Sequence, residues 1–314
     1  MAVMVNVNER QATWTSIGTD VDMSTTVDEV LEKAKLNYEV EKRNIYLDNG
    51  IIIPGKQATV NTTTGKVYGV VSDKYQICNN RDAFQFIANI DDKLSFVKAG
   101  ETQSGMVYVI AKLNDIDVLG DTFTPYVIFQ NGHNGNYTLR TTICPLRIVC
   151  QNQFSMAFRE SSNTINIRHS NNLQVQMHEA EELLRDTATY MKKFEANAEE
   201  LAALKITNEK DLINHFLTQS AIKALPNKKE GLSDRQIRAV DEKTEMLYNI
   251  YRNTPDNANF QGTVWGLLNG FTDFNTHLIP QRTTDTANEN RFVTVTMDPR
   301  VIMQFVNYIR QYAQ

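Results

Sequence analysis

Apolar positions follow two different rhythms along the chain. Up to about residue 175 they fall in short β-branched and aromatic runs broken by turn-forming Asn, Asp and Gly; beyond it they recur at helical spacing. An early helix is the exception, because Thr26 and Glu29 have capping-box spacing and Val27, Val30, Leu31 and Ala34 share one face. Asp48-Asn49-Gly50 reads as a turn before Ile51-Ile52-Ile53. Asn61 to Gly65 reads as a second turn, leading into a strand from Lys66 to Val71. Asn79-Asn80 is placed to cap a short helix carrying Phe84, Ile87 and Ala88. Strands are expected at 94–98, 106–113 and 126–130, then a hairpin turn at Gly132 to Gly135 and a returning strand at 137–143. After Pro145 the residues 148–158 predict an amphipathic helix.

From Met177 onward, Ala180, Leu183, Leu184, Met191, Phe194, Ala198 and Leu201 form a helical stripe with Thr187 as its polar interruption. Further helices are expected at 212–225, 233–251, 264–278 and 299–312, the last with Pro299 in its first turn. The pattern predicts an α+β fold with a β-rich, antiparallel meander in the N-terminal half and a helical C-terminal half. The change of rhythm divides the chain into residues 1–175 and 176–314. No Gly/Ser/Pro-rich linker separates them, so two halves of one fold are equally compatible.

The 314 residues include 41% hydrophobic and 22% charged side chains, enough for a sizeable core. With 37 acidic against 32 basic residues, the net charge of -5 excludes a histone-like polycation; binding to nucleic acid would need a local patch. Three cysteines argue against a disulfide framework and for a reducing compartment. Met1 to Arg10 has no signal-peptide character, and no apolar run approaches the ~18 residues of a membrane span. A soluble, cytoplasmic protein is expected.

Among chemical motifs there is no phosphate loop, no His-Glu-x-x-His pair, no Gly-x-Ser-x-Gly elbow and no Cys-x-x-Cys site. Cys144 and Cys150 with His133 lack a fourth zinc ligand, and small buried hydrophobes are the commoner role for such cysteines. His277 follows Asp273 by one helical turn, which suits a surface pair. No nucleophile, base and orienter can be assembled from spacing, so no catalytic residue, metal or cofactor is expected. Charge is more informative. The window 122–175 holds four arginines and one glutamate, a balance of +3 that leaves -8 for the rest, and it contains neither Lys nor Asp. Arg140, Arg147, Arg159 and Arg168 suit bidentate phosphate contacts, while Tyr137, Gln151 and Asn152 could face sugars or bases. The other reading makes Arg140 and Arg147 carboxylate-bound anchors and the window's aromatics core. A second basic stretch from Lys223 to Lys243 is interrupted by acids and reads as a solvated helical face.

Several segments resemble one family in order along the chain. They are Trp14 with Ile17-Gly18, then Val27 to Leu31 and Leu36 to Val40, Val70 to Asn80 with Phe84, and His133-Asn134-Gly135. Pro145-Leu146-Arg147-Ile148-Val149-Cys150-Gln151-Asn152 follows, and then Gly262-Thr263 with Trp265-Gly266, Asn269 and His277. These are similar to the phage/plasmid-related protein family carrying domain of unknown function 932. Asn134 stands where that family has an acid, which weakens any metal-binding or water-activating role for the turn. The resemblance implies a phage- or plasmid-encoded protein acting beside replication or recombination. Joined to the arginine window, it leads to the expectation of a non-catalytic single-stranded-DNA-binding or annealing accessory protein, homo-oligomeric and in the host cytoplasm. The alternative is a phage interaction protein that inhibits a host defence factor. A nuclease or other hydrolase using His133 or His277 ranks last.

Overall fold

The computed structural model describes residues 10–85, 87, 94–148, 151–154, 164–169, 187–227, 231–278 and 284–313. Its centre is an eight-stranded antiparallel sheet. The strands are β1 (Thr19–Asp20), β5 (Ser95–Glu101), β6 (Met106–Lys112), β7 (Ile116–Val118), β8 (Asp121–Gly132), β9 (Leu139–Arg147), β10 (Asn152–Gln153) and β11 (Thr164–Ile167). Their order is β1-β5-β6-β8-β9-β10, with β7 paired to β8 and β11 to β9. A smaller sheet joins β2 (Val40–Tyr46), β3 (Ile52–Asn61) and β4 (Val67–Ser72).

Strand β6 is apolar from Met106 to Ala111, and β8 is buried along most of its length, because both faces of the sheet are covered. Val107, Val109 and Ala111 of β6 share the first face with Val127 and Phe129 of β8, under helices α1 (Val27–Lys33) and α2 (Asn80–Gln85). The predicted capping box is present: Thr26 Oγ1 accepts from Glu29 N at 3.2 Å, and Glu29 Oε2 accepts from Thr26 N. Farther along that face, Phe123, Ile143 and Phe154 pack into the helical half against Phe194 and Trp265. The second face carries Met106, Tyr108, Ile110, Ile128, Cys144 and Leu146. It is covered by Ala12 and Trp14 of the N-terminal segment and by Phe292 and Met297 of helix α7 (Asp285–Met297). Pro125 lies opposite Pro145 in the β8–β9 ladder, so two residues without an N–H share a single gap.

The helical half contains α3 (Thr187–Ala203), α4 (Glu209–Lys223), α5 (Asp234–Asn253), a 3₁₀ turn (Pro255–Phe260), α6 (Val264–Asp273), a π turn (Phe274–Leu278), α7 and α8 (Arg300–Arg310). Every residue of α6 is buried, as expected of the central helix of a bundle. At Gly266 a Cβ would lie 2.0 Å from the Phe260 carbonyl oxygen, so glycine is what lets the 3₁₀ turn press against α6.

The β-rich first half and helical second half agree with the sequence pattern, and three local differences have physical causes. Instead of starting a helix, Gln151 adopts a left-handed φ of 55°, and Asn152–Gln153 folds back as β10 onto Arg147 and Leu146. Strand β11 was not expected, since its four residues carry only two apolar side chains. Helix α7 was also missed, because Val293, Thr294, Val295 and Thr296 are β-branched and strand-like in composition. There the Thr284 cap, whose Oγ1 accepts from Ala287 N at 3.3 Å, and burial of Phe292 outweigh local preference. The stretch around the expected boundary at residue 175 lies outside the described residues. Among those described, no helix is long and apolar enough to cross a membrane.

Strands β2 and β3 run past the end of β4 as a two-stranded hairpin. Its tip, around the predicted Asp48-Asn49-Gly50 turn, exposes Tyr46, Leu47, Ile51 and Ile52.

Candidate functional site

The sheet and the helical half meet over a buried polar cluster, and Arg147 is its hub. At 1% exposure it cannot reach a ligand outside the chain. Its Nη2 donates to Asp121 Oδ2 at 2.5 Å and to the Asp256 carbonyl at 2.8 Å, and its Nη1 donates to Asp256 Oδ2 at 2.9 Å and Asn269 Oδ1 at 3.1 Å. The β9 register explains the placement: Arg147 pairs with Phe123 and shares the first face with it, toward α6 and the 3₁₀ turn. Asn269 holds the other side of the cluster, its Nδ2 bonded to the Trp265 carbonyl and its own carbonyl accepting from Asn152 Nδ2 at 3.4 Å. This corrects two expectations. Arg147 and Asn152 are internal, Arg147 as a carboxylate-bound anchor, and neither is available to phosphates, sugars or bases.

The remaining window residues divide. Arg140 is half-buried on the second face, where its Nη2 donates to the Met297 carbonyl. Asn166 is directly opposite Arg140 in the β9–β11 ladder, and Arg168, two residues on, returns to the same side; Asn166 and Arg168 are exposed. Tyr137 lies on Gly132 and donates its hydroxyl to Ser104 Oγ at 2.8 Å. Gln151 turns back onto the Ile148 carbonyl at 2.9 Å. Arg159 and Cys150 lie outside the described residues.

His133 is fully buried, with its Nε2 3.1 Å from Asn80 Oδ1 and its ring against Tyr38 and Tyr68. Burial, reinforced by His169, pushes its pKa down to about 4. Its carbonyl accepts from Thr59 Oγ1 at 2.6 Å, tying the small sheet to the large one. Asn134 closes the turn onto Asn136 N and reaches the Ser104 carbonyl, while Gly135 adopts φ +80°. This turn is a joint between sheets. Trp14 packs at a tilt against Tyr126, ring centroids 4.6 Å apart, and Gly18 leaves room for Tyr108 Oη, which a Cβ would meet at 2.3 Å. Trp265 fills the aromatic centre of the helical half. Cys144 is a free thiol inside the sheet. Among the described residues no group of three His, Cys, Asp or Glu is arranged to hold a metal ion.

His277 borders a cavity at the edge of the helical half. Asp273, which precedes it on the helix, accepts from Arg10 Nη1 at 2.5 Å. Burial raises the Asp273 pKa against the pull of Arg10. Beside this pair, the segment 10–16, the π turn and α7 enclose a cleft of about 210 Å³ bordered by Arg10, Thr13, Ser16, His277, Asn288 and Arg291. Sequence reasoning missed the two arginines here. They are 281 positions apart and belong to no charge run, so no local signal joins them.

No curated protein and no solved structure matches the chain. A family model described as domain of unknown function, DUF932, matches residues 67–295. That span includes the His133 turn, the Arg147 strand and the Trp265 helix, and it makes up most of the chain: the protein belongs to the DUF932 family.

Proposed function

We propose that this is a non-catalytic accessory protein of phage or plasmid origin that binds single-stranded DNA during replication or recombination. The observation that carries the reading is the placement of Arg140, Asn166 and Arg168 on one side of the β9–β11 ribbon, with Asn166 and Arg168 exposed. Strand β11 has no further strand partner among the described residues, so this face ends at an open edge. Arg300 adds to the charge near Arg140, although Asp298 holds its guanidinium. Such a ribbon offers cations and amide donors to a backbone without a nucleophile or a metal. Arg159, outside the described residues, is the remaining arginine of the window.

Fluorescence anisotropy with labelled single-stranded and duplex oligonucleotides over a salt series tests the reading. Tighter binding to single strands, weakening steeply with salt, is expected. Replacing Arg168 with Gln should flatten the log–log salt slope by about 0.7 for the lost phosphate contact. No binding at low salt, or an unchanged slope in Arg168→Gln, refutes this surface.

The exposed hairpin tip favours a second reading, inhibition of a host protein through contact with Tyr46, Leu47, Ile51 and Ile52. It requires a defined host partner whose binding is lost in Leu47→Ser/Ile51→Ser while DNA binding persists.

A further inference from the structure

The cleft beside Asp273 holds more positive than negative charge. Arg10 and Arg291 both border it, and Asp273 pairs with Arg10. The Arg10 side chain is only 5% exposed, and its Nε has no hydrogen-bond partner. Arg291 is half-buried, its Nε is likewise without a partner, and it forms no hydrogen bond or ion pair among the described residues. Thr13 Oγ1, on the same wall, is a third buried polar atom without a partner. Buried guanidinium groups are costly unless an anion compensates them, and native folds rarely leave such groups unmatched.

The donor set narrows the missing anion. Two planar guanidinium forks, the His277 imidazole, the Thr13 and Ser16 hydroxyls and the Asn288 amide border one space, with no carboxylate among the residues lining it. Guanidinium forks match the paired oxygens of phosphate, and the hydroxyls and amide supply the further donors that a tetrahedral anion with several free oxygens can use. The volume of about 210 Å³ is below the range of pockets for drug-sized ligands, so the occupant is compact.

We infer that this cleft, between the N-terminal segment and α7, is a binding site for a phosphate group held by Arg10, Arg291 and His277. It is separate from the β9–β11 ribbon and does not depend on DNA binding there.

Calorimetric titration of the full chain with inorganic phosphate, at ionic strength matched with chloride, tests the site. Saturable one-to-one binding is expected, weaker by about tenfold or more in Arg291→Gln and by a smaller factor in Arg291→Lys, which retains charge but loses the fork. If Arg291→Gln does not fold, Arg291→Lys together with Asn288→Ala provides the same comparison. Absence of saturable binding, equal affinity in the variants, or acetate binding as tightly as phosphate overturns the assignment. A 5′-phosphorylated dinucleotide and its unphosphorylated twin then identify the source. Competition by the phosphorylated form alone marks a strand end, and competition by neither marks a free phosphate or a small phosphate ester; both outcomes support phosphate binding.

Discussion

Arg147, on the last residue of β9, donates to both the carboxylate and the carbonyl of Asp256, 109 positions away in the 3₁₀ turn before α6. With Asp121 on the neighbouring strand, the buried guanidinium joins the sheet to the helical half through two carboxylates that are themselves mostly buried. The consequence is structural. Such a cluster is worth little compared with an apolar replacement, but removing one member leaves the others charged and buried.

Arg147→Met should therefore destabilise the protein by about 3–5 kcal/mol, and the triple change with Asp121→Asn and Asp256→Asn should recover part of that loss. Urea unfolding of the three proteins decides the matter. A triple variant less stable than the single one would show that the carboxylates are not burdened by losing their partner.

Acid should weaken the joint between the sheets. His133 is depressed to about 4 in the folded chain, against a usual value of 6.5. Between these values the unfolded chain binds a proton that the folded chain does not. The full contribution is present above pH 6.5 and is lost as the pH falls toward 4, by about 3 kcal/mol. The groups facing the ring are Asn80, Tyr38 and Tyr68. His169, also depressed by burial, adds in the same direction. Urea midpoints measured from pH 7.5 down to 4.5 should fall less steeply in His133→Asn; parallel curves would assign the acid sensitivity to other groups.

Gly266→Ala tests the close approach of the 3₁₀ turn. In an exposed helix this change is stabilising by about 1 kcal/mol. Here the added methyl meets the Phe260 carbonyl oxygen at 2.0 Å, so a loss of about 3 kcal/mol is expected. Gly270→Ala, whose Cβ would be 2.9 Å from that of Tyr251, should cost less. Thermal melts that place Gly270→Ala below Gly266→Ala would contradict the geometry.

At the hairpin tip, Leu47→Ser/Ile51→Ser should change stability by no more than about 0.5 kcal/mol per site, since both side chains are exposed. If copies of the chain associate through this tip, sedimentation velocity will show the variant dissociating. Unchanged association places the contact elsewhere.

The sequence was most legible where one rule decided the outcome. Thr26 and Glu29 announced the first capping box, and the apolar run from Met106 to Ala111 announced a strand. It was least legible where distant packing prevailed. The strand-like residues of α7 are held as helix by Phe292 against Tyr108, and the left-handed Gln151 reverses a segment with helical spacing. The arginine window was visible as charge, but exposure depends on strand register. Odd-numbered Arg147 points into the interface with the helices, while even-numbered Arg140 points to the opposite face. Composition carries no parity, so it could not separate the structural arginine from those nearer the surface. The cleft was hidden for a simpler reason, since its two arginines become neighbours only after the chain has folded.

The bond between Arg10 and Asp273 spans 263 positions. During synthesis from the N-terminus, Trp14 and its neighbours leave the ribosome long before α6 or α7 exists. They can reach the sheet by then, but the ionic lock and the helix that covers the same face must wait for nearly the whole chain. The segment around Trp14, made before the sheet it covers, is thus fixed only after α6 and α7, and the exposed second face of the sheet is the surface that a nascent chain most needs shielded.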